Sequence, residues 1–415
     1  MIDYFKTKFI EVRRQTLNIC SPLKVEDYVV QPVVDVSPPK WHLGHTTWFF
    51  ETFILIPNKK GYKLFDEAYG FVFNSYYETV GNRVLRTDRG NLSRPSVEEV
   101  YQYRAHVEAH MLDYFNSLNE VPSDIVYVLE LGLQHEQQHQ ELLLYDIKYI
   151  LGHNPLFPAY KSIEKPKIQK SIHSIDFLKV EKGNYQIGHD KEGFCFDNEK
   201  GVHTIHLHNF EIADRLISNE EYLEFIEAGG YQKFQYWFSE AWGWINDDKI
   251  KSPMYWHNID GEWHYYTLGG LKRLDLNEPV AHISMYEADA FSKWKNMRLP
   301  TEFEWEVACK QYHLPNQVQT NFVESELFAP TFEIDKNQFL GNLWEWTNSA
   351  YLSYPYFKTD GGAIGEYNGK FMINQMVLKG GSYASPLNHI RPTYRNFFHP
   401  HLQWQFSGIR LARDI

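Results

Sequence analysis

Two histidines four residues apart carry the clearest chemistry in this chain. They are His135 and His139, within a stretch that has helical periodicity. Residues four apart lie on one face of a helix, one turn above the other, so both imidazoles can close on one metal ion. His42 or His45 could supply a third nitrogen from another helix. Three nitrogen ligands leave coordination positions open for a substrate or for oxygen, as in a catalytic metal site.

Spacing alone does not choose the third ligand. His42 and His45 are three residues apart, so they share a helix face only approximately, and one could ligate while the other packs or forms a hydrogen bond. Gln138 shares the face of the later histidine pair, and its amide could point at a ligand on the metal. Asp146 continues that face and could accept a hydrogen bond from a histidine N–H. A solvated surface carboxylate is the simpler interpretation of Asp146.

His-Glu-x-x-His on a helix is also the signature of zinc proteases, in which Glu136 would be the general base. The extended form of that signature requires glycine at position 142 and histidine at 145, where this chain has Leu142 and Tyr145. No glutamate between Glu141 and Glu164 is available as a downstream third ligand. These differences disfavour the protease hypothesis.

Two further segments combine charged and aromatic side chains. A loop after the second predicted helix contains Tyr76, Tyr77, Arg83, Arg86 and Arg89. A guanidinium offers a two-pronged contact to a carboxylate, although surface arginines paired with Asp88 and Glu78 are the alternative. Near the C-terminus, an irregular stretch contains Asn396, Phe397 and Phe398. Aromatic faces could hold a quaternary ammonium there, but ordinary core packing is the favoured interpretation from these residues alone.

The chain to residue 158 has the pattern of helices joined by loops. Helices are predicted over 2–19, from Trp41 to Leu55, from Ser96 onward, and from Pro122 to Gly152. Four such helices predict a four-helix bundle. Residues 159–172 are interpreted as a linker. From 173 to 415, short apolar or alternating segments and two helical stretches, 219–226 and 286–294, indicate an α+β domain.

Bulk properties narrow the function classes. The 415 residues are enough for two domains, so the predicted fold class is multidomain, α followed by α+β. A net charge of -12 argues against binding to nucleic acid. No transmembrane helix or signal peptide is expected. The three scattered cysteines argue against a disulfide framework and favour a reducing, cytoplasmic location.

The histidine segments resemble a known family. Residues 41–51 and 132–143 are similar to the two iron-site signatures of the sulfoxide synthases of ergothioneine biosynthesis, and the first half resembles their DinB-like bundle. The second half resembles the formylglycine-generating-enzyme fold, a C-type-lectin-like α+β domain. Its markers lie at 197–199, 219–222, 298–306, 341–346 and 380–383. The similarity covers nearly the whole chain.

The resemblance implies a reaction. A non-haem Fe(II) would use O2 to join the thiol of cysteine to C2 of the imidazole of hercynine, which is trimethylated histidine, and the product would be a sulfoxide. O2 takes up four electrons, of which C–S bond formation supplies two and sulfur oxidation two. No organic reductant is therefore needed, and the implied partners are these small molecules.

Residue roles carried over from the family fall into three groups. The implied iron ligands are His45, His135 and His139. Gln138 and Asn396 would contact the amino-acid end of hercynine, with Phe397 beside its trimethylammonium. Arg83 and Arg86 would bind the carboxylate of the thiol substrate, and Tyr76 or Tyr77 would deliver a proton or hydrogen atom during the oxygen chemistry.

Two departures refine this expectation. Formylglycine-generating enzymes have reactive cysteines after the Gly-Gly-Ser segment, but no cysteine follows Gly381 here. The second half is therefore assigned to substrate binding rather than to cysteine-based oxidation. The branch that uses γ-glutamylcysteine has an Asp and an Arg where this chain has Phe398 and Leu402. This favours free cysteine, with Phe398 counted among the substrate-binding residues.

The competing hypotheses are a related synthase, a zinc enzyme and a binding module. The related synthase would act on histidine, γ-glutamylcysteine or a selenium donor. The zinc enzyme would be a hydrolase or thiol transferase built on the same bundle. The binding module would use the lectin-like half without catalysis.

Overall fold

A computed structural model describes residues 1–75, 77–163, 172–313, 321–332, 337–359, 361, 365 and 368–415. The chain forms two compact units. The first contains Met1–Lys161, and the second contains Ser162–Thr359 and Asn368–Ile415. The predicted linker at 159–172 falls mainly on residues 164–171, which lie outside the described residues, so the predicted domain limits stay a prediction. Tyr76 also lies outside the described residues.

Four long helices form the framework of the first unit. Its helices are α1 Ile2–Cys20, α2 Pro39–Phe50, α3 Ile56–Asn58, α4 Tyr69–Val72, α5 Val97–Ser117 and α6 Ser123–Gly152. The long ones, α1, α2, α5 and α6, correspond to the four that the sequence predicts. Ser96 caps α5 as expected, since its hydroxyl accepts a hydrogen bond from the Glu99 N–H at 3.2 Å and its own N–H donates to the Glu99 carboxylate at 2.6 Å.

Helix α2 ends differently from its prediction. Regular α-helical hydrogen bonding stops at Phe50, and a π-helical turn, Glu51–Leu55, continues the helix. The buried Glu51 carboxylate accepts hydrogen bonds from the Tyr62 and Tyr103 hydroxyls, both at 2.6 Å. Such turns often occur beside functional sites, and this one directly follows the helix that carries His45.

A buried ion-pair network joins the four long helices. Arg13 on α1 donates to the Glu136 carboxylate of α6 at 3.0 Å and to Thr47 Oγ1 of α2 at 2.9 Å. Arg104 on α5 donates to the same carboxylate at 2.6 Å, and Thr16 Oγ1 donates to it at 2.7 Å. All of these side chains are buried. Because the network contacts α2 and α6 next to the histidines, it fixes the two helices that carry the site.

The second unit contains four helices and twelve strands in its described part. The helices are α7 Asn219–Glu227, α8 Ser239–Asp247, α9 Met285–Trp294 and α10 Glu302–Tyr312. The strands are β1 Phe177–Val180, β2 Gly183–Ile187, β3 His203–Leu207, β4 Phe210–Ala213, β5 Trp256–Ile259, β6 Glu262–Thr267, β7 Gly270–Arg273, β8 Trp344–Ala350, β9 Met376–Lys379, β10 Asn396–Phe398, β11 Ser407–Gly408 and β12 Ala412–Asp414. Only two of these helices, α7 and α9, were predicted from the sequence.

The strands form four small sheets, ordered β1-β4-β12, β10-β9-β8-β11, β2-β3 and β5-β6-β7. Neighbouring strands are antiparallel except β8 and β11, which are parallel. One core cluster packs Trp305 of α10 against Phe339 and the strand residues Ile187 and Ile212. The predicted fold class, a helical bundle followed by an α+β domain, is confirmed. No helix in the described part of the chain combines the length and apolarity needed to cross a membrane.

Candidate metal centre

Three histidines of the first unit converge. His45 comes from α2, whereas His135 and His139 lie one turn apart on α6. One ring nitrogen of each lies within 4.8 Å of the corresponding nitrogen of the other two, and no other such group occurs among the residues that the structure describes. His45 and His135 are buried and His139 is partly exposed. The structure therefore brings together the three residues that the family resemblance implies as ligands.

Three contacts hold the ring of His45. Its Nδ1 lies 2.7 Å from the Phe73 carbonyl oxygen, which can only accept, so Nδ1 carries the proton and Nε2 keeps its lone pair. Trp41 and Trp48 both stack on the His45 ring, with ring centroids at 4.6 and 5.7 Å. Gly44 makes this possible, because a Cβ at this position would lie 2.1 Å from the Phe73 ring. The ring thus presents Nε2 in a fixed direction.

His42 does not join the three converging rings. Its Nδ1 lies 2.9 Å from Nδ1 of His139, and its Nε2 lies 2.9 Å from the Asp146 carboxylate. The same carboxylate oxygen accepts the Ser37 N–H at 2.8 Å. The geometry therefore resolves the choice that spacing left open: His45 belongs to the converging set, and His42 supports His139 from behind.

The donor set fits a divalent transition metal. Burial lowers the pKa of His135 to about 4 and holds the pKa values of His45 and His139 well below the usual imidazole range. All three rings are therefore neutral near pH 7, which is the form that binds metal. His135 Nδ1 is buried and has no hydrogen-bond partner in the described part of the chain. An orphaned buried nitrogen beside two other imidazoles is what a metal-binding site requires.

Glu136 is not free to act as the base of a zinc protease. It is fully buried, and it accepts hydrogen bonds from Arg13, Arg104 and Thr16. Burial by itself would raise the pKa of this carboxyl, but the Arg104 and Arg13 guanidiniums outweigh it and hold the pKa at about 2. The His-Glu-x-x-His pattern here thus combines two of the three converging histidines with a structural carboxylate.

The loop residues occupy different environments. Tyr77 is 5% exposed, and its ring packs against Trp48 at 5.4 Å and Phe53 at 5.3 Å. Arg83 forms an ion pair with Glu78, which was the alternative considered from the sequence. Arg86 Nη2 donates to the Asp35 carbonyl at 2.7 Å. Gln138 is half-buried on α6 and lies between the two ligand histidines in sequence.

Arg89 occupies a position that the sequence did not reveal. Its guanidinium lies 3.4 Å from the centroid of the Trp41 ring. It donates to Ser37 Oγ at 2.9 Å and to Ser75 Oγ at 3.0 Å. Arg89 is buried, so it stacks on the ring that in turn stacks on His45. Its three-residue spacing from the other loop arginines was visible, but nothing in the sequence indicated burial.

The predicted hercynine contacts of the second unit lie on a strand rather than in the irregular stretch that was expected. They are the residues of β10, Asn396–Phe398, which pairs with β9. Phe397 stacks on Tyr351 with ring centroids 4.1 Å apart and on Phe371 at 5.7 Å. Strand pairing explains why this segment is ordered. The substrate-binding roles of these residues stay predictions.

Comparison with known proteins agrees with this architecture. The family model described as sulfatase-modifying factor enzyme 1-like domain matches residues 164–415, and that of the DinB superfamily matches residues 8–143. A relative from Mycolicibacterium smegmatis, named hercynine oxygenase, is 29% identical over 364 residues, which cover 80% of this chain and 81% of the relative. A hercynine oxygenase from Mycolicibacterium thermoresistibile is 27% identical, with 98% and 94% covered. One from Mycobacterium tuberculosis is 28% identical, with 92% of each chain covered.

These matches span both compact units and include the helices that carry the three histidines. The chain therefore belongs to the sulfatase-modifying factor enzyme 1-like family, in the form that carries an N-terminal domain of the DinB superfamily.

Proposed function

We propose that this protein is an Fe(II)- and O2-dependent sulfoxide synthase of ergothioneine biosynthesis. It joins the sulfur of cysteine to C2 of the hercynine imidazole and oxidises that sulfur, which gives hercynylcysteine sulfoxide. The observation that carries the proposal is the convergence of His45, His135 and His139 within 4.8 Å in a chain similar along most of its length to proteins named hercynine oxygenase. Three neutral imidazoles leave positions open on a bound ion, as non-haem iron oxygenases require.

The electron balance fits this assignment. O2 accepts four electrons, two from formation of the C–S bond and two from oxidation of the sulfur to the sulfoxide. Bound iron would supply a site where thiolate and O2 meet. Neutral ligands leave the full charge of the divalent ion uncompensated, which favours an anionic thiolate there. The buried rings of Trp41 and Trp48 exclude water from the face of His45.

The remaining roles rest on the family resemblance and on local geometry. Tyr77 is the described candidate for proton delivery, because it packs on the indole that packs on His45; Tyr76 is the other candidate. Arg83 and Arg86 would hold the cysteine carboxylate, and Gln138 would face hercynine from α6. The hercynine contacts assigned to the second unit are Asn396, Phe397 and Phe398.

Free cysteine is the proposed sulfur donor. An Asp and an Arg would be expected in a γ-glutamylcysteine enzyme where this chain has Phe398 and Leu402. Neither side chain offers a charge for the extra carboxylate or amine of the longer thiol. Phe398 instead packs against Trp404, with ring centroids at 5.0 Å.

The test is a reconstitution with iron. Purified protein is incubated with Fe(II), O2, cysteine and hercynine, and products are identified by mass spectrometry. Parallel reactions replace hercynine with histidine, or cysteine with γ-glutamylcysteine or selenocysteine. We expect the sulfoxide adduct of cysteine and hercynine, its loss in His135→Ala and His139→Ala, and its retention in His153→Ala, an exposed histidine just beyond α6. Full turnover under strict anaerobiosis would contradict an oxygenase.

A further inference from the structure

We propose that His42 and Asp146 are positioning residues that fix the proton of His139 on Nδ1 and so present its Nε2 to the metal, an inference that rests on the proposed iron site. The observation is a continuous chain of hydrogen bonds. It runs from the Ser37 N–H to Asp146 at 2.8 Å, from Asp146 to His42 at 2.9 Å, and from His42 to His139 at 2.9 Å.

The Ser37 N–H determines which atom donates and which accepts in each of these hydrogen bonds. A backbone N–H can only donate, so the Asp146 oxygen that meets Ser37 is an acceptor. The same oxygen therefore accepts the Nε2–H of His42. The tautomer of His42 that carries its proton on Nε2 presents a lone pair at Nδ1, and this nitrogen accepts the Nδ1–H of His139. The lone pair of His139 is left on Nε2. The opposite direction would place the proton on Nε2 and remove this nitrogen as a ligand.

The three ligand histidines are supported differently. His45 is fixed by a backbone carbonyl, which can only accept. His139 depends on His42, which can present either a donor or an acceptor at Nδ1, and Asp146 decides which. Nδ1 of His135 has no partner in the described residues, so no hydrogen bond at that nitrogen selects a tautomer. His139 is thus the ligand whose tautomer is set by side chains, and it is the one that substitutions can disturb.

Burial makes this dependence strong. His42 and Asp146 are 2% and 3% exposed, so water does not replace a hydrogen bond that is lost. Removal of the acceptor would leave the His139 Nδ1–H without this hydrogen bond and would release the ring from its orientation. Partners that orient metal-bound histidines contribute about 10- to 100-fold to metal affinity. We expect a loss of that size when the acceptor is removed.

The experiment compares two substitutions that separate hydrogen bonding from packing. In His42→Asn, the side-chain oxygen is attached to Cγ, as Nδ1 is, so an acceptor for His139 is retained although the ring is lost. In His42→Phe, the ring is retained and the acceptor is lost. The dissociation constant of Co(II) is measured on metal-free protein by its visible absorption, with circular dichroism as the folding control. Co(II) serves as an O2-stable probe of the same three nitrogens.

We expect the Co(II) dissociation constant of His42→Asn to lie within about tenfold of the wild-type value. We expect His42→Phe to bind Co(II) about 10- to 100-fold more weakly than the wild type, and clearly more weakly than His42→Asn. A packing role predicts the reverse order, so equal affinities or tighter binding by the Phe variant would overturn the proposal. If His42→Phe does not fold, the pair Asp146→Asn and Asp146→Leu decides. The Asn variant keeps an acceptor for His42, the Leu variant does not, and equal affinities of these two would also overturn it.

Failure of this inference is distinguishable from failure of the proposed function. Suppose that the wild type binds Co(II) tightly, that His135→Ala abolishes binding, and that His42→Phe binds more tightly than His42→Asn. This result would exclude the positioning role alone. The expected order in a protein that makes no sulfoxide would remove the reaction and keep the positioning role. Absence of Co(II) binding by the wild type would overturn both.

Discussion

Tyr77 packs against Trp48, and the Trp48 indole also stacks on His45, one of the three converging histidines. Its ring lies 5.4 Å from Trp48, which lies 5.7 Å from His45. A buried phenol at such a site can hold a proton for the oxygen chemistry and release it when needed. We expect Tyr77→Phe to keep the fold and to shift products from the sulfoxide toward cysteine sulfinate, because thiol oxidation then proceeds without C–S bond formation. The ratio of the two products by mass spectrometry is the measurement.

Tyr69→Phe is the matched control for this prediction. Tyr69 is another buried tyrosine of the first unit, and its ring packs on Phe73 and Tyr103. Its hydroxyl is not assigned to the site, so the product ratio should stay as in the wild type. Tyr76 is the other candidate for proton delivery. An unchanged ratio in Tyr76→Phe, in Tyr77→Phe and in the double variant would remove the proton-delivery role from both.

Arg86 is proposed to bind the cysteine carboxylate. Its Nη2 holds the Asp35 carbonyl, which orients the guanidinium before substrate arrives. We expect Arg86→Leu to raise the KM for cysteine roughly 10- to 100-fold, since a charge-assisted hydrogen bond contributes about 1.5–3 kcal/mol. The KM for hercynine should change little. Steady-state kinetics with each substrate varied in turn provides the measurement, and Arg94→Leu, an exposed arginine beyond the loop, is the control.

At the scale of elements, the approach of the Phe73 segment to α2 depends on Gly44. A Cβ at this position would lie 2.1 Å from the Phe73 ring, so Gly44→Ala must displace the residue whose carbonyl orients His45. We expect a loss of about 1–3 kcal/mol in stability and weaker Co(II) binding. Gly70→Ala is the control, since no atom lies within 4 Å of its added methyl group. Chemical denaturation and Co(II) titration are the measurements, and equal behaviour of the two variants would contradict the role of Gly44.

The network around Glu136 should determine the stability of the bundle. Glu136→Gln removes the negative charge between Arg13 and Arg104, which are both buried. Removing the charge of one partner in a buried ion pair lowers stability by about 3–5 kcal/mol, because the charges of the other partners stay buried without compensation. We expect this loss in the free energy of unfolding of the metal-free protein, measured with urea. Glu120→Gln, at an exposed position, should change little. If Glu136 were the base of a zinc protease, Glu136→Gln would instead lower activity without lowering stability.

Local signals account for the helices that the sequence predicted. Ser96 and Glu99 form a capping box within four residues, and Pro122 directly precedes α6, so the starts of α5 and α6 are encoded at short range. Helix α10 was missed although Thr301 and Glu304 form the same capping box. The π turn after Phe50 was not predicted, and its Glu51 carboxylate accepts hydrogen bonds from Tyr62 and Tyr103, which come from elsewhere in the chain.

The candidate site also combines features that local spacing encodes with features that depend on distant residues. His135 and His139 could be predicted because a separation of four residues fixes their shared face. The assignment of His45 rather than His42 depends on which ring meets the Phe73 carbonyl and which meets Asp146, and both contacts join residues far apart in sequence. The burial of Arg89 against Trp41 depends likewise on the fold of the intervening loop.

At the scale of the whole molecule, the second unit has the family fold but lacks the cysteines that the resemblance leads us to expect after the Gly-Gly-Ser segment. No cysteine follows Gly381. Cys309 on α10 is 1% exposed, and burial raises its pKa, which suppresses the reactive thiolate. Oxidation by a cysteine pair therefore has no candidate in the region where formylglycine-generating enzymes are expected to carry it. This supports the proposal that oxygen chemistry belongs to the histidines of the first unit and substrate binding to the second.

Metal binding should therefore stabilise the bundle as a whole. The two helices that carry the proposed ligands, α2 and α6, are also joined by the Arg13 network, so an ion bound to the native bundle resists its unfolding. At a free Co(II) concentration 100 times the dissociation constant, the gain is about 2.7 kcal/mol. Amides of α2 and α6 that exchange only through unfolding should then exchange roughly 100-fold more slowly, as measured by hydrogen–deuterium exchange. The double variant His135→Ala/His139→Ala should show no such slowing, and equal slowing in both proteins would place the ion elsewhere.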